Sequence, residues 1–401
     1  MPVSQNTQGT LPSPSAALTA CVLAVSSLTV LANATIAPSL PGLALTFADT
    51  PRIETLAALV LTLPSLAVVL TAGLFGWVAD RFDGKSVLIA AMLAYAIGGA
   101  SGAMADTMGQ ILAGRFVLGL GVAGTLTVAT QLAAAFWHGL DRARFMGWQG
   151  AAISATGIAS LLLGGLLAGL DWRGPFLIYL AAFPLAAAAW IVVPARSGAV
   201  LRQTSTPAAF PWRVLALTGG LMFAAMAFIM LAGTRLPFLL GDIGVASPGL
   251  IGVTLAAMTL ASFPTGLFYG RARARLEPCM IAAISFALMG SGFAFISQAH
   301  TLPVAILGIL VCGSGLGLII PNQNVWLMAH VPESQRGRAA GLMTTCLFAG
   351  QFVSPLISGV LLAVLNLHVV FLVFAVGAGL ISAGLWAFSG ARTSRMAGDV
   401  R

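Results

Sequence analysis

Twelve long apolar runs, separated by short segments, restrict the fold of this 401-residue chain more than any other feature of its sequence. Each run is about 20 residues long, the length that an α-helix needs to cross the hydrocarbon core of a membrane. Only 7% of the residues are charged, whereas a soluble domain carries roughly 25%. A water-soluble surface cannot be built from so few charges. We therefore predict an all-α membrane protein with twelve transmembrane helices.

A polar segment near the middle of the chain divides the runs into two groups of six. The runs cover approximately residues 16–40, 54–79, 86–105, 108–136, 143–170, 173–193, 212–237, 247–270, 277–298, 301–329, 336–365 and 367–389. We expect a disordered tail at 1–15, a six-helix bundle at 16–193, a cytoplasmic linker at 194–211, a second bundle at 212–389 and a C-terminal tail at 390–401. The first fifteen residues lack the basic stretch of a cleaved secretory signal, so we expect the first run to be retained as a helix.

Basic residues concentrate on one side of this topology. With both termini in the cytoplasm, fifteen of the nineteen Lys and Arg residues fall in cytoplasmic loops or in the C-terminal tail. Arg52, Arg173 and Arg235 face the other side, and Arg115 is the one basic residue well inside a span. This asymmetry follows the positive-inside rule and predicts a multi-pass protein of the cytoplasmic (inner) membrane.

The composition also argues against several classes of function. The net charge is +8, but the basic residues are scattered singly, which disfavours a nucleic-acid partner. The four Cys and four His have no metal-ligand spacing, and the sequence contains no nucleotide-binding loop and no nucleophile–base set. We therefore expect a monomer that is not an enzyme and holds no metal or cofactor. Its expected partners are membrane lipid and a small-molecule substrate, with a coupling proton as a further candidate.

The two groups of runs repeat each other. With a shift of 193 residues, GLFGWVADR (73–81) aligns with GLFYGRARA (266–274). With a shift of 194, DRARFMG (141–147) aligns with QRGRAAG (335–341). Two matches in equivalent loops indicate duplication of a six-helix unit. In transporters built from such parallel halves, the substrate site lies between the halves near the bilayer midplane.

The segment GWVADRFDGK (76–85) resembles the loop between helices 2 and 3 of the major facilitator superfamily, and it departs from the family pattern at positions 83 and 84. The matching residues are Gly76, Ala79, Asp80, Arg81 and Lys85. The resemblance implies two pseudo-symmetric six-helix bundles. It also implies that this loop is a latch that holds the halves in the outward-open state. For Arg81 and Lys85 a simple cytoplasmic anchor is the alternative, whereas Asp80 favours the latch because an acid adds nothing to the positive-inside bias.

Two further segments resemble motifs of the family's drug–proton antiporters, which have twelve helices. LANATIAPSLPG (31–42) is similar to their motif at the end of the first span, through Leu31, Pro38 and Pro41. GIASLLLGGLLAG (157–169) keeps Gly164 and Gly165 of the fifth-span motif but lacks its Gly-Pro pair, which weakens the antiporter assignment. The residues that we expect to bend or pack helices are Pro38, Pro41, Gly164, Gly165, Pro321 and Pro355.

Arg115 is the candidate of greatest interest, because a charge inside the membrane is costly and is usually functional. Its segment, GRFVLGLGVAG (114–124), resembles a fourth-span motif whose Arg is implicated in proton movement in drug exporters. Arg115 is expected to bind an anionic group of the substrate, to hold a polar network with neighbours such as Gln131, or to tune a proton step. The alternative is a side chain that reaches the membrane interface. We expect loss of this charge to impair transport and to leave thermal stability unchanged or higher.

Other polar and flexible side chains in the spans are candidates to line a substrate cavity. They are Asn33, Gln131, Gln149, Asn322, Gln323, Asn324, Gln351 and Met226. For each amide, a hydrogen bond between helices is the alternative, and for the Met it is packing. No acid lies clearly inside a span, so the sequence shows no fixed site for a coupling proton. The mode of coupling therefore stays open: a group on the substrate carries the coupled charge, or transport is uncoupled.

These features favour a secondary active transporter that moves a small organic compound by alternating access. The leading prediction is an exporter of a drug or metabolite, with a cavity suited to neutral, amphipathic or anionic compounds. The first alternative is an importer or facilitator of a small metabolite or siderophore. The second is a membrane sensor or scaffold that transports nothing.

Overall fold

The computed structural model describes residues 14–194 and 209–398. Within these ranges, twelve helices are long and apolar enough to cross a membrane, as predicted. Helix 1 is Ala16–Ala34, helix 2 Ile53–Arg81, helix 3 Gly84–Ala100, helix 4 Met108–Phe136, helix 5 Gly139–Leu170, helix 7 Trp212–Asp242, helix 8 Pro248–Arg273, helix 9 Pro278–Ser297, helix 10 Leu302–Met328, helix 11 Arg336–Leu362 and helix 12 Leu367–Gly398. Helix 6 begins with the 3₁₀ segment Gly174–Ala181 and continues as the α-helix Ala182–Val192.

Helix 1 breaks before it reaches the end of its span. A 3₁₀ turn, Ala37–Ser39, and a short helix, Leu40–Thr46, follow the break. Pro38 lies in the turn and Pro41 in the short helix. A proline has no backbone N–H and cannot continue the hydrogen-bond ladder of a helix. The break therefore follows directly from the spacing of the two prolines, and Ala32, Asn33 and Ala34 lie just before it.

Several helices extend beyond the predicted runs, because a helix keeps its backbone hydrogen bonds where it leaves the hydrocarbon layer. Helix 7 continues to Asp242, so Arg235 lies two turns before its end and is completely buried. The prediction that Arg235 belongs to an outer loop, and that Arg115 is the one basic residue well inside a span, is therefore wrong. Helix 12 likewise continues to Gly398, beyond the predicted end of the second bundle at 389.

Helix starts explain one departure from the family pattern. Asp83, which stands where the loop pattern has Gly, is the N-cap of helix 3, and its carboxylate accepts a hydrogen bond from the backbone N–H of Ser86. A side-chain oxygen at this position satisfies a donor that the helix leaves unpaired. Asp83 thus fixes where helix 3 begins.

Helices 1–6 form an N-terminal half and helices 7–12 a C-terminal half. Two helix pairs make the most extensive contacts between the halves: helix 2 packs against helix 11, and helix 5 packs against helix 8. The helices alternate in direction, so the start of helix 1, the end of helix 6 and the start of helix 7 share one end of the bundle. We call this the terminal end and the opposite one the distal end.

The halves are in contact at the distal end. Gly165 of helix 5 lies against the carbonyl oxygen of Pro248, and a side chain at Gly252 of helix 8 would collide with the carbonyl oxygen of Leu161. Gly359 of helix 11 lies against Thr55 of helix 2. Glycines in these helices nearer the terminal end face open space instead: Gly73, Gly76, Gly147, Gly150, Gly270, Gly337 and Gly341. The structure is therefore closed between the halves at the distal end and open at the terminal end.

Candidate functional site

A polar cluster links the two halves at mid-depth. The side-chain oxygen of Gln351, on helix 11, accepts hydrogen bonds from the amide of Asn33 on helix 1 (3.1 Å) and from the hydroxyl of Ser65 on helix 2 (2.8 Å). We call Asn33, Ser65 and Gln351 the inter-half cluster. Ser65 is buried, whereas Asn33 and Gln351 are half-buried. The cluster brings together two of the predicted cavity residues, and sequence reasoning missed Ser65.

The inter-half cluster retains hydrogen-bonding capacity. The side-chain oxygen of Asn33 is buried and has no hydrogen-bond partner in the described part of the chain. A buried polar atom without a partner carries an energetic cost unless a ligand or an ordered water satisfies it. The cluster also lies at the border between the closed distal end and the open terminal end. A compound that enters from the terminal end therefore meets an amide-rich surface at the point where the halves close.

Arg115 lies inside the N-terminal half and is completely buried, so its side chain does not reach the surface of the helix bundle. Its Nε donates to the carbonyl oxygen of Val60 on helix 2 (2.8 Å), and one terminal nitrogen donates to that of Ala32 on helix 1 (2.6 Å). Pro64 follows Val60 by four residues and has no N–H, so the Val60 carbonyl lacks its usual helical donor. Arg115 supplies the missing donor and stabilises the bend in helix 2 and the break in helix 1.

Tyr179 completes the surroundings of Arg115. Its ring lies 5.1 Å from the guanidinium carbon, and its hydroxyl donates to the carbonyl of Ala32 (2.9 Å). The other terminal nitrogen of Arg115 has no hydrogen-bond partner among the described residues. Gln131 lies 16 residues further along helix 4, about 24 Å away, and is half-buried. The polar network around Arg115 therefore consists of backbone carbonyls and Tyr179.

Three of the remaining polar candidates form their hydrogen bonds within one half. Gln149 on helix 5 donates to Ser26 on helix 1 (2.8 Å). Asn322 on helix 10 donates to the carbonyl of Pro278 on helix 9 (2.9 Å), and Asn324 donates to the carbonyl of Ile320 in its own helix (2.9 Å). Pro321 lies inside helix 10 next to these amides. The bonds of Gln149 and Asn322 thus tie two helices together inside each half.

Two further candidates are buried in the C-terminal half. Gln323 is completely buried, and neither polar atom of its side chain has a hydrogen-bond partner in the described ranges. Met226 is buried in helix 7, as are Met222 and Met230 on the same face. The glycines and prolines that we expected to shape helices lie where helices approach or bend: Gly164 contacts the carbonyl of Thr35, and Pro355 lies inside helix 11.

The loop between helices 2 and 3 lies at the terminal end. The Arg81 guanidinium lies 4.5 Å from the ring centre of Trp77, and the Lys85 ammonium lies 5.0 Å from that of Trp190. Both cations thus contact aromatic rings of the N-terminal half. Gly76 faces open space. The side chain of Asp80 lies outside the described residues, so its role as a latch stays a prediction.

Arg235 is a second functional candidate that sequence reasoning missed. Its Nε donates to the hydroxyl of Ser358 on helix 11 (2.9 Å), and one terminal nitrogen donates to the backbone carbonyl of Glu54 on helix 2 (3.2 Å). The other terminal nitrogen lies 3.5 Å from the carbonyl oxygen of Pro355. Arg235 therefore contacts both halves near the distal end. The apolar residues that continue after it, LPFLL, were a signal that the span does not end at this Arg.

Comparison with known proteins agrees with this architecture. The family model described as Major Facilitator Superfamily matches residues 22–244 and 215–397. The chain belongs to the Major Facilitator Superfamily. Among solved structures of the superfamily, the nucleoside transporter NupG is 15% identical, covers 92% of this chain and 99% of its own, and superposes with a TM-score of 0.77. A D-xylose–proton symporter is 16% identical, covers 92% and 97%, and has a TM-score of 0.76. At these identities the likeness shows the fold.

Curated superfamily relatives include exporters. The bacillibactin exporter of Bacillus subtilis (strain 168) is 22% identical over 329 residues, which cover 77% of this chain and 81% of the relative. The class C tetracycline resistance protein of Escherichia coli is 25% identical over 339 residues, which cover 80% and 83%. The superfamily assignment and the twelve helices make the chain an integral, multi-pass membrane transporter. They also point to a transporter rather than an enzyme.

Proposed function

We propose that this chain exports a small neutral or anionic organic compound across the cytoplasmic membrane by alternating access. The observation that carries the proposal is the inter-half cluster, where Gln351 of one half bonds Asn33 and Ser65 of the other. The same residues must separate and reunite each time the halves rock. A ligand held there is therefore exposed to one side of the membrane and then to the other.

The direction of transport is supported by charge and by similarity. The predicted loops at the terminal end carry most of the basic residues, and by the positive-inside rule this asymmetry supports a cytoplasmic position for this end. The structure is then an inward-open state, ready to load a cytoplasmic compound. Similarity to the bacillibactin exporter supports export.

The charge distribution favours neutral or anionic substrates. Arg115 and Arg235 are completely buried, and no Asp or Glu is buried among the residues whose side chains are described. The ion pairs seen in those residues, such as Arg173 with Asp106, lie at the surface. A fixed excess of positive charge in a low-dielectric interior repels an organic cation and attracts an anion. Amide groups at the inter-half cluster then donate to or accept from the substrate's polar atoms.

We expect Gln351→Leu to reduce efflux of a transported compound by roughly 30-fold, because two hydrogen bonds between the halves are lost at about 1 kcal/mol each. Flux is measured in everted membrane vesicles with three probes: tetracycline, a catecholate siderophore and the organic cation ethidium. Wild type should move at least one of the first two and not ethidium. The matched control is Gln298→Leu, at an exposed end of helix 9, which should behave as wild type.

Two results would contradict this proposal. Equal efflux by wild type and Gln351→Leu would mean that the inter-half cluster contributes neither to the approach of the halves nor to substrate binding. Transport of ethidium in preference to the other two probes would overturn the proposed substrate class. If vesicles with wild-type protein moved no compound at all, the sensor or scaffold alternative would gain support.

A further inference from the structure

We propose that Arg235 is a lock that holds the distal end closed, and that its bond to Glu54 must break in every transport cycle. This inference goes beyond the proposed substrate and direction, and it rests only on the alternating access in the proposed function.

The contacts of Arg235 divide unequally between the halves. Ser358 and Pro355 belong to helix 11, in the same half as Arg235 itself, and are 2.9 and 3.5 Å from its nitrogens. The Glu54 carbonyl belongs to the first turn of helix 2, in the other half, at 3.2 Å. When the distal end opens, Arg235 keeps its two partners on helix 11 and loses the carbonyl of helix 2. It therefore moves with the C-terminal half and acts on the N-terminal half through one bond.

The surroundings of this bond make it effective. Arg235 is completely buried, so water does not compete for the donor in the closed state. A hydrogen bond from a charged group in such a site is stronger than one between neutral groups. Thr55 and Gly359 pack next to it, and Leu61 of helix 2 lies against Gly233 of helix 7. Contacts between the two halves therefore flank Arg235 on both sides.

An arginine suits this position better than other cations. Its planar guanidinium presents donors in several directions, so one side chain can bond two helices at once. A lysine ammonium carries its donors on a single atom and cannot reach the same set of acceptors. No acidic side chain forms an ion pair with Arg235 in the described ranges. The Glu54 carboxylate still attracts the guanidinium at longer range, so this attraction and the bond to the Glu54 carbonyl both weaken when the distal end opens.

Accessibility of a cysteine at Ala58 tests the lock. Ala58 is completely buried on helix 2, and it shares a helix face with Glu54 and Leu61 by spacing. In nanodiscs, Ala58→Cys should react slowly with a hydrophilic thiol reagent. Addition of Arg235→Met should raise its labelling rate about 10-fold, since loss of the lock shifts the equilibrium towards distal opening. The chain without the added cysteine gives the background from the native cysteines.

Matched variants separate a lock from a merely structural role. Arg173→Met removes a cation at the same end whose contacts, to Ala105 and Asp106, stay within one half, so labelling at Ala58→Cys should not change. Arg235→Lys keeps the charge and should give an intermediate rate. If Arg235→Met fails to fold, Arg235→Lys is the deciding variant. A labelling rate in Ala58→Cys with Arg235→Lys that equals the rate in Ala58→Cys alone would overturn the lock.

Equal labelling with and without Arg235→Met in folded protein would likewise overturn the proposal, and Arg235 would then serve only the packing of helices 7 and 11. The assay contains no substrate. Failure of the proposed export function would leave its result unaffected, so the two ideas can fail separately.

Discussion

Arg115→Ala should abolish transport and lower the melting temperature by a few degrees. Loss of the guanidinium leaves the Val60 carbonyl without a donor, since Pro64 cannot supply one. An unsatisfied buried acceptor costs about 1–3 kcal/mol, and the vacated volume adds a cavity cost. The Ala32 carbonyl keeps the Tyr179 hydroxyl as a donor, which limits the loss. With the break in helix 1 no longer fixed, Asn33 loses its defined position in the inter-half cluster.

The structure thus changes one expectation for this variant. The sequence alone predicts that removal of a buried charge leaves stability unchanged or raises it. The two backbone carbonyls that Arg115 satisfies reverse that sign. Flux in proteoliposomes and a melting curve are the measurements, with Arg271→Ala at an exposed position of helix 8 as control. Arg115→Lys should retain part of the flux at most. Wild-type flux together with an unchanged melting temperature in Arg115→Ala would contradict this role.

Gly252→Leu should also abolish transport, but through the conformational equilibrium. A side chain at Gly252 collides with the backbone of helix 5 at Leu161, and backbone cannot move aside as a flexible side chain can. Overpacking of this kind costs about 1–3 kcal/mol, which corresponds to roughly 5- to 150-fold in the ratio of two states. The cost falls only on the state in which the distal end is closed. The protein should therefore fold and remain open at the distal end.

A control for this variant lies on the same helix. Gly270 faces open space, so Gly270→Leu should transport at nearly the wild-type rate. Labelling of a cysteine at Ala58 should rise in Gly252→Leu and not in Gly270→Leu. If Gly252→Leu transports normally, helices 5 and 8 do not need to approach this closely, and the distal contact is incidental to the cycle.

The sequence predicts the architecture well for a physical reason. Lipid requires every spanning segment to be apolar and about 20 residues long, so spans appear directly as runs. The same rule misplaces Arg235, because a run is judged to end where a charge appears. Arg235 is tolerated there since three acceptors surround it, and no pattern in helix 7 alone reveals acceptors on helices 2 and 11.

The candidate site is predicted in part. Asn33 and Gln351 stand out because amides are rare in an apolar span, and they meet across the halves. Ser65 does not stand out, because hydroxyls in helices usually bond their own backbone, as Thr62 does with Ala58. Asn322 and Asn324 are equally conspicuous in sequence, yet both bond within the C-terminal half. The rotation of each helix about its axis decides which amides face the other half. A helix that is apolar on all faces carries no sequence signal for that rotation.

The distance between the halves at each end tests the central claim, alternating access by rocking of two rigid halves, most directly. Spin labels at Met104 and Thr301 report the distal end, and labels at Phe82 and Ala274 report the terminal end; all four side chains are exposed. Cys346, the half-buried native cysteine, is replaced by Ser in both pairs. The distances are measured by pulsed electron–electron double resonance, with and without Gly252→Leu. We predict that the substitution lengthens the distal distance and shortens the terminal one. Two unchanged distances, or two that change in the same direction, would contradict the account.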